Sequence, residues 1–194
     1  MHFEPLPLPG ALRVRLERHD DERGFFARTA CLREFRAHGL PQQWVQSSIS
    51  WNRRRGTVRG LHFQWPPSQE AKLVRCVRGA IFDVLLDLRP GTESFLRHHA
   101  LELDDERRDA VYVPAGVAHG FQTLRDDVEV LYQMSDYYVP ELAAGVRWND
   151  PALAIAWPLT SDLTIATRDA GYADFERAAF VAELARREAA GAPP

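Results

Sequence analysis

The sequence predicts a mainly β protein, an antiparallel sandwich or barrel, with a short helical coat at its C-terminal end. Short apolar stretches of strand length recur between residues 45 and 138, punctuated by turn signals at 53–56, 65–68 and 78–79. Helical spacing is confined to two stretches, 32–38 and 174–189. At 194 residues, with 45% hydrophobic and 26% charged side chains, the chain can bury a large core as one globular domain.

Taken in order, residues 12–16 alternate with period two and predict a strand. Residues 19–24 form an acidic turn ahead of the aromatic pair Phe25-Phe26. The helix at 32–38 is closed by Gly39 and Pro41. Strands are then expected at 45–50, 57–64, 72–77, 80–88, 95–103, 110–113, 117–124 and 128–138. Asp150-Pro151 ends the β pattern, and 174–189 carries Phe175, Ala179, Val181 and Leu184 at amphipathic helical spacing. The expected organisation is one domain: an N-terminal arm (1–42), a β core (43–140) and a helical coat (141–194). The chain closes on an Ala/Glu/Arg-rich tail ending in Pro193-Pro194.

Composition narrows the function. A net charge of −3 argues against general nucleic-acid binding, which wants a basic face, although the excess of arginine over lysine could still meet a local anion. Cys31 and Cys76 make no disulfide framework, and no C-x-x-C is present. No apolar run has the length of a membrane span or a leader, so a cytoplasmic enzyme or binding protein is expected.

Three stretches concentrate chemistry. The run Thr57-Val58-Arg59-Gly60-Leu61-His62-Phe63-Gln64 places a cation and an imidazole in a strand that otherwise reads as buried. His119 lies among small residues that let backbones approach closely, and Lys72 occupies a strand position whose alternation with Val74 and Cys76 turns it partly inward. These three stretches are read as walls of one pocket.

The ordered series Arg23-Gly24-x-Phe26, Arg59-Gly60-Leu61-His62-Phe63-Gln64, Lys72-Leu73-Val74, Asp83-Val84 with Asp87-Leu88-Arg89, and Pro114-x-Gly116-x-Ala118-His119-Gly120-Phe121 resembles the dTDP-4-dehydrorhamnose 3,5-epimerase family. The match continues through Tyr132, Tyr137-Tyr138, Trp148-Asn149-Asp150-Pro151, Trp157-Pro158 and Arg168-Asp169, covering about residues 20 to 170. The resemblance implies a cupin-type double-sheet jelly roll. It also implies a metal-free, cofactor-free epimerase that inverts C3, C5 or both, beside the C4 ketone of a dTDP-4-keto-6-deoxyhexose. Such chemistry needs a base, an acid on the opposite face and a donor for the enolate oxygen.

By the same resemblance, His62 is the base, Asp169 its carboxylate partner, Tyr132 the acid and Lys72 the stabiliser of the enolate oxygen. Arg23, Phe26, Arg28, Gln46, Ser48, Arg59, His119 and Arg168 form the implied substrate-binding set, with Arg23 reaching the diphosphate. The N-terminal arm is implied to enter a neighbouring subunit's site in a homodimer. Arg59 and His62 fall on opposite faces of a regular strand, so lining one pocket requires a pairing irregularity at Gly60. The sequence departs from the family pattern at Arg28, at Ser48 and at Ala143 or Ala144, and an acid replaced by Arg28 changes the sign of charge near the expected nucleotide or sugar.

Two other readings compete. A cupin metalloenzyme would want a His-x-His pair, whereas His62 is followed by Phe63-Gln64 and His98-His99 are adjacent residues that alternate across a strand. A nucleotide-sugar binding protein would not need the full set of acid, base and oxyanion donor; a keto-isomerase acting on a different nucleotide sugar is the remaining alternative.

Overall fold

The computed structural model describes residues 1–191. The last residues of the expected coat, Pro193-Pro194 among them, lie outside the described residues. The chain begins with β1 (His2–Pro5) and β2 (Leu12–Arg15), then a hairpin of β3 (Arg18–Asp21) and β4 (Gly24–Ala27), and α1 (Leu32–Ala37). The central run is β5 (Gln46–Asn52), β6 (Thr57–Gln64), β7 (Lys72–Arg78) and β8 (Ala80–Asp87). It continues through β9 (His98–Asp104), β10 (Ala110–Val113), β11 (Val117–Thr123) and β12 (Val128–Met134). The C-terminal part holds β13 (Ala143–Gly145), β14 (Thr164–Ile165), α2 (Thr167–Ala170) and α3 (Arg177–Gly191).

Two sheets face one another in a double-sheet jelly roll. The first has the order β1-β2-β10-β7-β12-β5; the second runs β13-β6-β11-β8-β9, with β14 pairing β6. All these pairs are antiparallel except β14 with β6.

Period-two alternation explains the layers. Val74, Cys76, Val111, Val113, Val128 and Val130 point inward from the first sheet. They meet Ile81, Leu85, Leu103, Val117 and Phe121 of the second to form the inter-sheet core. The other phase of the second sheet, including Leu61, Phe63, Val84, Leu86 and Ala118, is covered by Val146, Leu153 and Trp157 of the C-terminal segment. The outer face of the first sheet presents Val14, Leu73, Ala110 and Tyr112 to Phe35 of α1. Both faces of β8 are therefore buried, which is why its sequence reads as nearly continuous apolar residues. Each buried side chain of this kind contributes about 1.5–3 kcal/mol relative to exposure.

Several expected boundaries move. The arm 1–42 is an arm only in part, because β1 pairs β2 and β2 pairs β10, placing both strands in the first sheet. The acidic turn at 19–24 is the tip of the β3–β4 hairpin. The strand expected to reach residue 138 stops at Met134, where the Ser135 N–H turns to the Ala71 carbonyl and Tyr137 and Tyr138 emerge to solvent. The strand expected from residue 95 begins at His98, after a left-handed turn at Leu96 (φ 65°). In α3 it is Phe180 that packs on the second sheet, stacking near Trp65 and Phe63, while Val181 is exposed. The coat is also less helical than expected, since β13 and β14 extend the second sheet through it.

Candidate active site

The inward phase of the alternation that builds the apolar core becomes polar toward one end of the jelly roll. On β7 the inward series continues from Cys76 and Val74 to Lys72; on β12 it continues from Val128 and Val130 to Tyr132. On β11 His119 lies between the inward Val117 and Phe121, and on β8 Asp83 lies between Ile81 and Leu85. The site is thus built by the same geometry as the core, with functional groups substituted for aliphatic ones.

Strand β6 supplies the remaining wall through a bulge. Its ladder with β11 pairs His62 with His119 and Arg59 with Phe121, so the register shifts across Gly60 and Leu61. Gly60 has φ +107°, and a Cβ there would lie 2.6 Å from Gly120 Cα and 2.7 Å from the His119 carbonyl oxygen. Only glycine fits both the conformation and the close approach. The bulge turns Arg59 to the same side as His62, and both line one cavity of about 240 Å³ with Ser48, Ser50, Lys72, His119 and Tyr132. The irregularity anticipated at Gly60 is present.

The bulge also frees the Gly60 N–H from the ladder, and Asp169 accepts it at 3.1 Å. The second oxygen of the same carboxylate lies 2.8 Å from His62 Nε2. Asp169 reaches this point because β14 runs parallel to the start of β6, delivering the single turn of α2 against the strand. Asp169 is 3% exposed, not the surface turn residue its local sequence describes. Burial pushes its carboxyl up. Hydrogen bonds from His62 and Gly60 and the nearby charges of His62 and Arg168 outweigh that and hold it below its ordinary range. A carboxylate at 2.8 Å requires the proton on Nε2, leaving the lone pair of a neutral ring on Nδ1. Arg168 pairs with the same carboxylate through Nε at 3.4 Å; its Nη2, 3.1 Å from His62 Nε2, is a donor facing a donor in this tautomer and makes no hydrogen bond there.

Across the cavity, burial drives the Tyr132 phenol well above its ordinary range, partly offset by a hydrogen bond with Ser50 and the Arg59 charge. The ring is therefore held in its protonated form, as a proton donor requires. His119 is 4% exposed and meets Asp83 at 2.7 Å through Nε2, while its ring packs edge-on to Tyr132 at 6.1 Å between centroids. Lys72 is the only lysine in the chain. Its ammonium donates to the His62 carbonyl at 3.2 Å and pairs with Glu70 at 3.2 Å. Arg59 Nε donates to the buried Asn52 Oδ1 at 2.7 Å, and Arg59 also lines a cleft of about 380 Å³ with Trp51, Arg53 and Arg54.

An adjoining cavity of about 440 Å³ shares Ser48, His62, Lys72 and Tyr132 and adds Gln46, Glu70, Tyr138, Ala143 and Arg168. Gln46 accepts the Tyr138 N–H at 2.7 Å. Ala143 and Ala144, where the family pattern has a glutamate, both line this space. A separate groove of about 280 Å³ beneath α3 has no histidine, tyrosine or lysine in its lining.

Of the residues expected from sequence, His62, Tyr132, Asp169, Lys72, Gln46, Ser48, Arg59, His119 and Arg168 converge. Arg23, Phe26 and Arg28 do not join them within one chain. Arg23 is exposed on the β3–β4 hairpin and paired with Asp21, Phe26 is 75% exposed, and Arg28 faces Glu34. Sequence reasoning gave Glu70, Asp83 and Tyr138 no role in the site, although Asp83 and Tyr138 stand in the series that carries the resemblance. Asp83 carried the same signal as His62, a charged residue in a buried strand, and Glu70 stands two residues before Lys72, just ahead of β7. Among the described residues no cluster of three or more His, Cys, Asp or Glu could hold a metal ion.

Known proteins resemble this chain over most of their length. The family profile described as dTDP-4-dehydrorhamnose 3,5-epimerase matches residues 5–177. A dTDP-4-dehydrorhamnose 3,5-epimerase of Sinorhizobium fredii is 37% identical over 169 residues, covering 87% of each chain. The crystal structure of a 3,5-epimerase from Legionella pneumophila in complex with dTDP-4-keto-L-rhamnose superposes with a TM-score of 0.82. It is 30% identical, over 87% of this chain and 89% of that one. ChmJ, a 3′-monoepimerase from Streptomyces bikiniensis in complex with dTDP-quinovose, gives a TM-score of 0.84 at 31% identity, over 97% and 98% of the two chains.

Proposed function

The chain belongs to the dTDP-4-dehydrorhamnose 3,5-epimerase family, and on that premise we propose that it inverts carbons flanking the C4 ketone of a dTDP-4-keto-6-deoxyhexose. The observation that carries this reading is one cavity walled by His62, Lys72, His119 and Tyr132, with His62 tied to Asp169. His62 removes the proton beside the ketone. The C–H electron pair moves into the C3–C4 or C4–C5 bond as the C4 oxygen takes up negative charge. Lys72 and His119 face the space where that oxygen would sit, and Asp169 stabilises the imidazolium. Tyr132 then returns a proton to the opposite face, and the enolate collapses to the inverted ketone.

In this proposal the guanidinium groups of Arg59 and Arg168, which line the two adjoining cavities, meet the diphosphate, for whose oxygens a planar fork is suited. Arg23, Phe26 and Arg28 fit the scheme if they enter the site of a second subunit, so the proposal includes a homodimer with shared sites. A cytoplasmic location, with which two free thiols agree, belongs to the same proposal.

Solvent deuterium incorporation into a dTDP-4-keto-6-deoxyhexose, followed by NMR, tests the function. Label at C3 and C5 supports double inversion. Label at C3 alone supports the narrower reaction named for ChmJ, which the departures at Arg28, Ser48 and Ala143 keep in view. No label at either carbon overturns the proposal.

A further inference from the structure

We propose that Glu70 is a positioning residue for this reaction, acting through Lys72 to hold the ammonium where the C4 oxygen develops charge. The inference rests on the function proposed above. It starts from composition: the chain carries 23 arginines and a single lysine, and that lysine lines both adjoining cavities. A guanidinium is a rigid planar fork, whereas an ammonium offers three donors around a point charge on a flexible four-carbon stem. The small group suits a single oxygen, but the flexible stem must be restrained.

Two contacts supply the restraint. Lys72 Nζ donates to the His62 carbonyl at 3.2 Å and pairs with Glu70 Oε2 at 3.2 Å, leaving a third N–H direction. The Lys72 and Glu70 side chains are 13% and 8% exposed, so water competes little for either. Among the described residues, Glu70 is the only carboxylate within ion-pair distance of Lys72. It is itself anchored. Ala71, between the two, buries into the cluster beneath α1, turning Glu70 and Lys72 to the same side. The Glu70 N–H meets Ser68 Oγ at 3.3 Å, and Ser68 Oγ donates to Asp136 at 2.8 Å. Through the His62 carbonyl, the ammonium is fixed relative to the base as well as to the substrate space.

The test measures deuterium exchange and steady-state kinetics for the wild type, Glu70→Gln, Lys72→Met and the double variant. Both possible enolates place their charge on the same C4 oxygen. Glu70→Gln should therefore slow exchange by one common factor, about 10- to 100-fold, at every carbon the wild type exchanges. KM should change less than about twofold, and Glu70→Gln should cause no further loss in the Lys72→Met background. Wild-type rates in Glu70→Gln, a loss confined to one of two exchanging carbons, a raised KM, or an added loss in the Lys72→Met background would each overturn the proposal.

A second readout needs no turnover. Lysine-selective isotope labelling yields one side-chain NMR signal, and Glu70→Gln should shift and broaden it; an unchanged signal overturns the contact. A wild type that incorporates no deuterium would refute the function, while the lysine signal would still decide the pairing.

Discussion

His62 and Asp169, 107 residues apart in sequence, meet at 2.8 Å, and the same carboxylate accepts the backbone N–H of Gly60. One side chain therefore orients the base and satisfies the amide that the β6 bulge releases. Shape and chemistry of the site depend on each other at this point.

Asp169→Asn should show both roles. A carboxylate serves two N–H donors, whereas an amide offers one acceptor oxygen and must turn its NH₂ toward the other donor. The unmet group costs about 1–3 kcal/mol, readable in the urea midpoint. The turnover number should fall about 10²- to 10⁴-fold as the imidazole loses its orienting partner. Because the Asp169 carboxyl is held below its ordinary value of 3.8, its stabilising contribution is complete above that pH and disappears as pH falls below it. The difference in stability between wild type and Asp169→Asn should shrink over that acidic range.

Tyr132 makes the opposite prediction. Its folded-state value is raised above the ordinary 10.0, so the folded state keeps a proton that the unfolded chain gives up. Wild-type stability relative to Tyr132→Phe should be constant below pH 10 and decline as pH rises past it. Urea titrations of the two proteins across the alkaline range would measure this, with Tyr112 and Tyr172 common to both.

Gly60→Ala should be severe for its size. The added methyl meets the Gly120 backbone and the His119 carbonyl at a φ that alanine avoids. A loss of about 1–3 kcal/mol is expected, together with reduced activity as the Arg59–His62 relationship distorts. Thermal unfolding and exchange rates should both register the change.

Shared sites predict complementation. If Arg23 serves its partner's cavity, Arg23→Ala and His62→Ala homodimers should each be impaired, and mixed dimers should recover activity through one intact site. Absence of recovery in verified heterodimers would confine each site to its own chain.

The sequence made much of this legible. The limits of β6 follow from its own residues, and the break at Gly60 follows from the resemblance, which put Arg59 and His62 on one pocket wall and so demanded a change of phase. The inward positions of Lys72 and Tyr132 follow from alternation. The burial of Asp169 does not, because it depends on Thr164 and Ile165 pairing in parallel with Thr57 and Val58. Short strands such as β13 and β14 take their conformation from β6 and have little local signal of their own. Arg23, Phe26 and Arg28 were recognisable as residues but not as places, because the hairpin that carries them stands clear of its own chain's cavity.

The central claim is that His62 and Tyr132 work on opposite faces of one ring. Tyr132→Phe in deuterated solvent tests it most directly, with deuterium uptake and inversion measured in the same sample. Uptake should persist while inversion falls about 10²- to 10⁴-fold, because the His62 imidazolium exchanges the abstracted hydrogen with the deuterated solvent and returns deuterium to the same face. His62→Ala should lose uptake and inversion together. Equal loss of both in Tyr132→Phe, or undiminished uptake in His62→Ala, would contradict the two-face account.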